Sequence, residues 1–258
     1  MFNTEKKAFW IIFTITLILF LSAFFFSYKK SAISPSNSTR VESVSFTDQS
    51  ADSSYEIDVQ YPHLSGFSDA YIQDTVNKNI KNSMELIISD FKNRDAEMTH
   101  YKEAPKSTFF ARYEVSLLSK NIFSFRENIS EYSSGSAHPN SYTQTFGYNL
   151  DSGKSISLQS LFSQNSDYLQ KISHICISSL LSNLGEDDKQ FMEEWIKNGA
   201  GAKEENFQNF LFSESGIVFI FDPYQVGPYA MGSQEVTIPY SELRDIGVVE
   251  GVISRLIN

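Results

Sequence analysis

Four histidines, one cysteine and 31 carboxylates are the groups with which this chain of 258 residues could do acid–base, nucleophilic or metal chemistry. His63 follows a proline in a turn, His100 sits in a polar linker, and His174 shares a polar helix face with Asp167, Lys171 and Ser178. None has the spacing of a metal ligand, such as H-x₃-H or H-E-x-x-H. Glu193 and Glu194 are adjacent, and neighbouring helix positions diverge by about 100°, so the two cannot serve one acid–base site. Cys176 falls with Leu169, Ile172, Leu180 and Leu184 on an apolar helical stripe, the setting of a buried, inert thiol. As the only cysteine it also excludes an intramolecular disulfide. His138 differs, because it lies in the loop Ser133–Asn140, SSGSAHPN, whose small residues allow close approach of a ligand. It reads either as a loop former or as a general base, and a base would need a nucleophile and an orienting acid beside it. The expectation is no catalytic group, no metal and no cofactor.

Binding chemistry is better represented. Phe219–Tyr240, FIFDPYQVGPYAMGSQEVTIPY, is two hydrophobic runs joined by a loop of Pro, Gly and Tyr, which predicts strand, shaped aromatic loop, strand. Tyr and Pro offer contact area at little entropic cost, so Tyr224, Pro228 and Tyr229 are candidate anchors for a ligand. Ser136, His138 and Pro139 of the small-residue loop join them as candidate binding residues. The competing reading is that these aromatics pin their own loop to the sheet.

The elements that must position these loops follow from periodicity. Tyr55, Ile57, Val59 and Tyr61 alternate with polar residues and predict a strand ended by Pro62. From Ser68, an expected N-cap, Ile72, Val76, Ile80, Met84, Ile87 and Phe91 step by three and four along a helix. Phe109–Leu118, Ile122–Tyr132 and the run containing Tyr142, Gln144, Phe146, Tyr148 and Leu150 predict an antiparallel meander. Its first turn is Ser119-Lys120-Asn121, and it closes on Asp151-Ser152-Gly153-Lys154. A second helix is expected over Tyr168–Leu184, and Glu186–Glu205 predicts a short amphipathic helix with a solvated acidic face around Phe191, Trp195 and Ile196.

Residues 8–27 are almost wholly apolar, about the ~20 needed to cross a bilayer, and predict an uncleaved signal anchor after a cytoplasmic tail of residues 1–7. A long C-terminal part is translocated largely regardless of its charge, so residues beyond the anchor are expected outside the cytoplasmic membrane. Residues 28–54 are rich in Ser, Thr, Asp and Asn and predict a disordered stalk. Residues 1–30 hold four Lys and one Glu, which leaves 17 basic and 30 acidic groups in the rest and a formal charge of −13. Such a surface repels nucleic acid, so no nucleic-acid partner is expected, and it draws cationic partners in.

Several segments together resemble one bacterial family. They are Tyr55-Glu-Ile-Asp-Val-Gln-Tyr-Pro62, the helix with Val76-Asn77, Gly135-Ser-Ala-His138, Asp151-Ser-Gly-Lys154 with Ser157-Leu-Gln-Ser-Leu-Phe162, Phe221–Ala230, and Ile238-Pro-Tyr-Ser-Glu-Leu243. The family is the extracytoplasmic module shared by the sigma-V anti-sigma factor, a lysozyme receptor, and the non-catalytic N-terminal part of peptidoglycan deacetylase C. The resemblance implies an α+β fold, antiparallel sheets with helices packed on one face, in two modules over residues 55–130 and 131–250. It departs at Gly135-Ser136, where the family has two glycines before Ala-His. With seven residues ahead of the apolar run and none after Asn258, neither a cytoplasmic sigma-binding segment nor a deacetylase domain is expected. The implied function is a membrane-anchored, extracytoplasmic, non-enzymatic envelope protein whose partner is a cationic protein such as lysozyme, or peptidoglycan. The alternative is an envelope enzyme, or an accessory module of peptidoglycan modification, with His138 as general base.

Overall fold

The computed structural model describes residues 38–52, 54–98, 105–163 and 165–244. The expected anchor at residues 8–27 and His100 lie outside them, and among the described residues no helix is long and apolar enough to cross a membrane. From Thr39 onward these residues form one compact unit.

A six-stranded sheet runs in sequence order: β1 (Arg40–Gln49), β2 (Tyr55–Ser65), β3 (Ser107–Leu118), β4 (Ile122–Tyr132), β5 (Asn140–Asn149) and the two-residue β6 (Lys154–Ser155). Every neighbouring pair is antiparallel except β2 and β3, which run parallel. That exception follows from the crossover helix α1 (Ala70–Ala96), because strands joined through a long helix return in the same direction. Three further helices follow, α2 (Tyr168–Ser182), α3 (Glu186–Gly199) and the single turn α4 (Tyr240–Leu243). The antiparallel strands β7 (Phe210–Phe212), β8 (Gly216–Phe221) and β9 (Gln234–Pro239) make a second sheet.

Helix α1 covers one face of the large sheet. Its buried stripe is Ile72, Val76, Ile80, Met84, Ile88 and Phe91, packed on Ile57, Val59, Phe109, Ala111, Phe123, Phe125 and Ile129. Ile88 rather than Ile87 is the buried residue of the fifth turn. The cap is Asp69, not Ser68, and its carboxylate accepts the Tyr71 and Ile72 N–H groups. Glu127 sits on this same face of β4, two residues from Phe125 and two from Ile129, opposite Tyr113 and Gln144. It is fully buried, and neither of its carboxyl oxygens has a hydrogen-bond partner.

The other face carries the second sheet. The Phe212 N–H donates to Ser124 Oγ (3.1 Å) and the Phe210 N–H to Thr145 Oγ1 (3.0 Å), so β7 is stitched across β4 and β5. Gly147 permits this: a Cβ there would stand 3.1 Å from the Phe212 ring. Arg126 binds Glu114 on β3 at 2.6 Å and Glu235 on β9 at 2.5 Å, spanning both sheets. A core of Ile172, Cys176, Ile196, Phe207, Phe212, Phe219 and Phe221 then joins α2 and α3 to the second sheet. Cys176 is fully buried, which pushes its thiol up to about 12.

The α+β class and the antiparallel meander agree with the sequence reading, and three points differ. Residues 40–49, expected in the stalk, form β1, paired with residues 56–65 of β2. Pro62 does not end its strand; β2 leaves β3 at Gln60, so a missing N–H beyond that point costs no ladder bond on that side. β4 and β5 carry one sheet across residue 130, where a module boundary was expected. Helix α1 packs on the large sheet, whereas α2 and α3 bury their apolar stripes against the second sheet.

Candidate functional site

β8 ends at Phe221 and β9 begins at Gln234, and the residues between them form the aromatic loop. The loop is pinned at its base. Asp222 Oδ1 accepts the Thr143 N–H of β5 (2.9 Å), and its Oδ2 accepts Asn209 Nδ2 (3.2 Å). Burial raises the Asp222 carboxyl above its ordinary range, against the lowering effect of the Thr143 bonds. Gln225 donates from Nε2 to the carbonyls of Gly199 (3.0 Å) and Asn206 (2.9 Å). Val226 is buried, and Gly199 lies so close that a Cβ on it would sit 1.8 Å from the Gln225 carbonyl oxygen.

With its base fixed, the loop turns its aromatics outward. Tyr224 holds a left-handed backbone, φ 72°, which a bulky residue adopts only under constraint, and its side chain is 54% exposed. The constraint is visible: Trp195 of α3 donates its Nε1–H to the Tyr224 carbonyl at 2.9 Å. Tyr224 and Tyr229 have ring centroids 5.5 Å apart. Tyr229 in turn lies 4.7 Å from the His138 ring, and its hydroxyl points to the Pro139 carbonyl at 3.4 Å.

The structure therefore brings together two loops that the sequence separates by some ninety residues. Tyr224, Tyr229 and His138 form a ladder of rings. Pro139 is part of it through its carbonyl, Pro228 precedes the short turn Tyr229–Met231, and Ser136 is exposed in the His138 loop. The Ser136 N–H closes a turn on the Ser133 carbonyl, and Gly135 supplies the positive φ of 87°. His138 Nδ1–H donates to the Pro139 carbonyl at 2.8 Å, which fixes the proton on that nitrogen and leaves Nε2 as the outward atom. Among the described residues no three His, Cys, Asp or Glu side chains are grouped so as to hold a metal. Trp195 was the partner that sequence reasoning missed. Its register on an acidic helix showed in the pattern, but its hydrogen bond to a loop far along the chain did not.

Helix α3, which reaches the loop through Trp195, carries Glu186, Asp187, Asp188, Glu193 and Glu194, with Glu186 paired to Lys189 and Glu193 to Lys197. Phe191, one turn before Trp195, is 77% exposed. The site is thus an aromatic strip held by an acid-rich helix, which suits a ligand with cationic and apolar parts.

Comparison with known proteins agrees with this architecture. Residues 49–141 match the family described as deacetylase PdaC, and residues 159–241 match a protein family of unknown function, DUF3298. The peptidoglycan-N-acetylmuramic acid deacetylase PdaC of Bacillus subtilis is 26% identical over 173 residues, 67% of this chain and 36% of that protein. The anti-sigma-V factor RsiV of Bacillus subtilis is 28% identical over 208 residues, 76% of this chain and 67% of that factor. The chain thus spans about a third of the one relative and two thirds of the other, and it carries a module that the two share. Solved structures show the same fold: a DUF3298 family member from Bacteroides fragilis, TM-score 0.59 and 17% identical over 85% of this chain and 96% of its own, and one from Pseudomonas aeruginosa, TM-score 0.58 and 12% identical over 83% and 94%.

Proposed function

We propose that this chain is a non-enzymatic binding module of the bacterial cell envelope, held at the cytoplasmic membrane by residues 8–27, with the described domain outside. It takes a cationic protein, of which lysozyme is the type, on the Tyr224–Tyr229–His138 ladder. The observation that carries this reading is the strained, exposed Tyr224, held by Trp195 and Gln225 while its own ring covers nothing in the core. Strain kept in a loop fixed from below is a feature of binding sites rather than of turns that serve the fold alone. The acid-rich helix that holds Tyr224 supports a cationic partner, and the resemblance to the anti-sigma-V factor supports lysozyme as its type.

The test uses Tyr224→Gly with lysozyme titrated into the full chain by calorimetry. Glycine accepts the positive φ without strain, so the melting temperature should hold or rise, while the affinity falls by the ~2 kcal/mol or more of a hot spot. Unchanged lysozyme affinity in a folded Tyr224→Gly would end the proposal. The alternative, an envelope enzyme with His138 as general base, predicts instead that the full chain turns over peptidoglycan fragments and that His138→Ala abolishes turnover with folding intact.

A further inference from the structure

On the face of the large sheet that carries the second sheet, a cleft of about 310 Å3 opens between β5, the turn after β6, the start of α2 and the 3-10 turn Glu204–Phe207. It lies beside the aromatic loop without being part of it: Asp222 meets β5 at Thr143, and the cleft begins at Thr145. Its volume is at the low end of the ~300–1,000 Å3 usual for small-molecule sites.

Two chemistries line it. Buried rings of Tyr168, Phe207 and Phe210 provide an apolar floor. The rim carries the Gln159 and Gln208 carboxamides and the Glu204 carboxylate. Both carboxamides are exposed, and neither is hydrogen-bonded to a described residue. Tyr168 donates its hydroxyl to Glu204 Oε1 at 3.2 Å, which leaves the second carboxylate oxygen open.

We infer that this cleft binds a sugar without negative charge. A pyranose ring has an apolar C–H face, which an aromatic floor covers, and a rim of hydroxyls that each donate and accept. A Gln carboxamide offers two donors and an acceptor, and a carboxylate accepts from two hydroxyls, so the rim here matches both roles. A purely apolar ligand would strip water from two amides and a carboxylate without replacing it. An anion meets Glu204 and no Lys, Arg or His among the lining residues.

The test is calorimetric titration of the full chain, in mild detergent, with tri-N-acetylchitotriose, cellotriose and trigalacturonic acid. The expected result is binding of at least one neutral trisaccharide with a dissociation constant in the millimolar range or tighter, and none of the uronic acid. Replacing both Gln159 and Gln208 by Ala, at exposed positions where the melting temperature should not change, should weaken the sugar at least tenfold, whereas Tyr224→Gly should leave it unaltered. No heat from either neutral sugar at about 10 mM overturns the inference. So does an affinity that survives the double substitution, or binding of the uronic acid as tight as that of the neutral sugars.

Discussion

Glu127 is the residue whose chemistry is most at odds with its surroundings. A carboxyl buried under α1 with no hydrogen-bond partner is costly when charged, and burial pushes its pKa up to about 8, only partly offset by the Arg112 charge. The unfolded chain binds this proton only below about 4.5, the ordinary value. Between those limits the folded state holds more protons than the unfolded one, so stability falls as pH rises, by at most about 1.4 kcal/mol per pH unit from this group, and flattens above about 8. Glu127→Gln, which cannot ionise, should remove that slope and be the more stable form at pH 8, as urea midpoints at pH 5 and pH 8 would show. A slope that persists in the variant would assign it to other carboxylates. The alternation of Phe123 and Phe125 placed residue 127 on the covered face, so its burial was legible in the sequence. That no partner reaches it depends on what β3, β5 and α1 bring there, which one strand's pattern does not contain. The same holds for Tyr224, whose candidacy was legible and whose backbone strain was not.

At the level of elements, packing decides what propensity leaves open. Asp69 takes the cap from Ser68 because its carboxylate reaches two N–H groups, and Gly199 ends α3 where the Gln225 backbone passes over it. Gly199→Ala should therefore force the aromatic loop off its seat. Overpacking of this kind typically costs about 1–3 kcal/mol, and since the displaced carbonyl is backbone the cost should fall at the upper end. Chemical denaturation measures it, and a variant as stable as the native chain would show that the loop yields freely. Helix α1 and the meander were legible because their apolar residues recur at helical and at alternating spacing. β1 was not: at the edge of the sheet it is wet on most of its length, and Val41, Val44 and Phe46 among Ser, Glu, Asp and Gln make too thin an apolar pattern to tell from a stalk.

On the scale of the whole molecule, the two sheets are stitched through side chains. Ser124 and Thr145 receive β7, Arg126 bridges to β9, and Asp222 ties the aromatic loop to β5. The sequence announced two sets of strands and gave no sign of these cross-links, since each joins residues far apart in the chain. β1 has a consequence of a different kind, for self-association. A chain cut to begin at Tyr55, where the alternating pattern starts, would lose ten paired residues and leave β2 as an eleven-residue strand with an open row of N–H and C=O groups. An uncapped strand of that length is a template for a second copy. Sedimentation velocity should find the chain from Thr39 monomeric at concentrations where the chain from Tyr55 forms dimers or larger species. Equal behaviour of the two would mean that the rest of the fold shields β2 unaided. The ten residues that look most like a tether thus act as the guard that keeps one copy of the sheet from growing into the next.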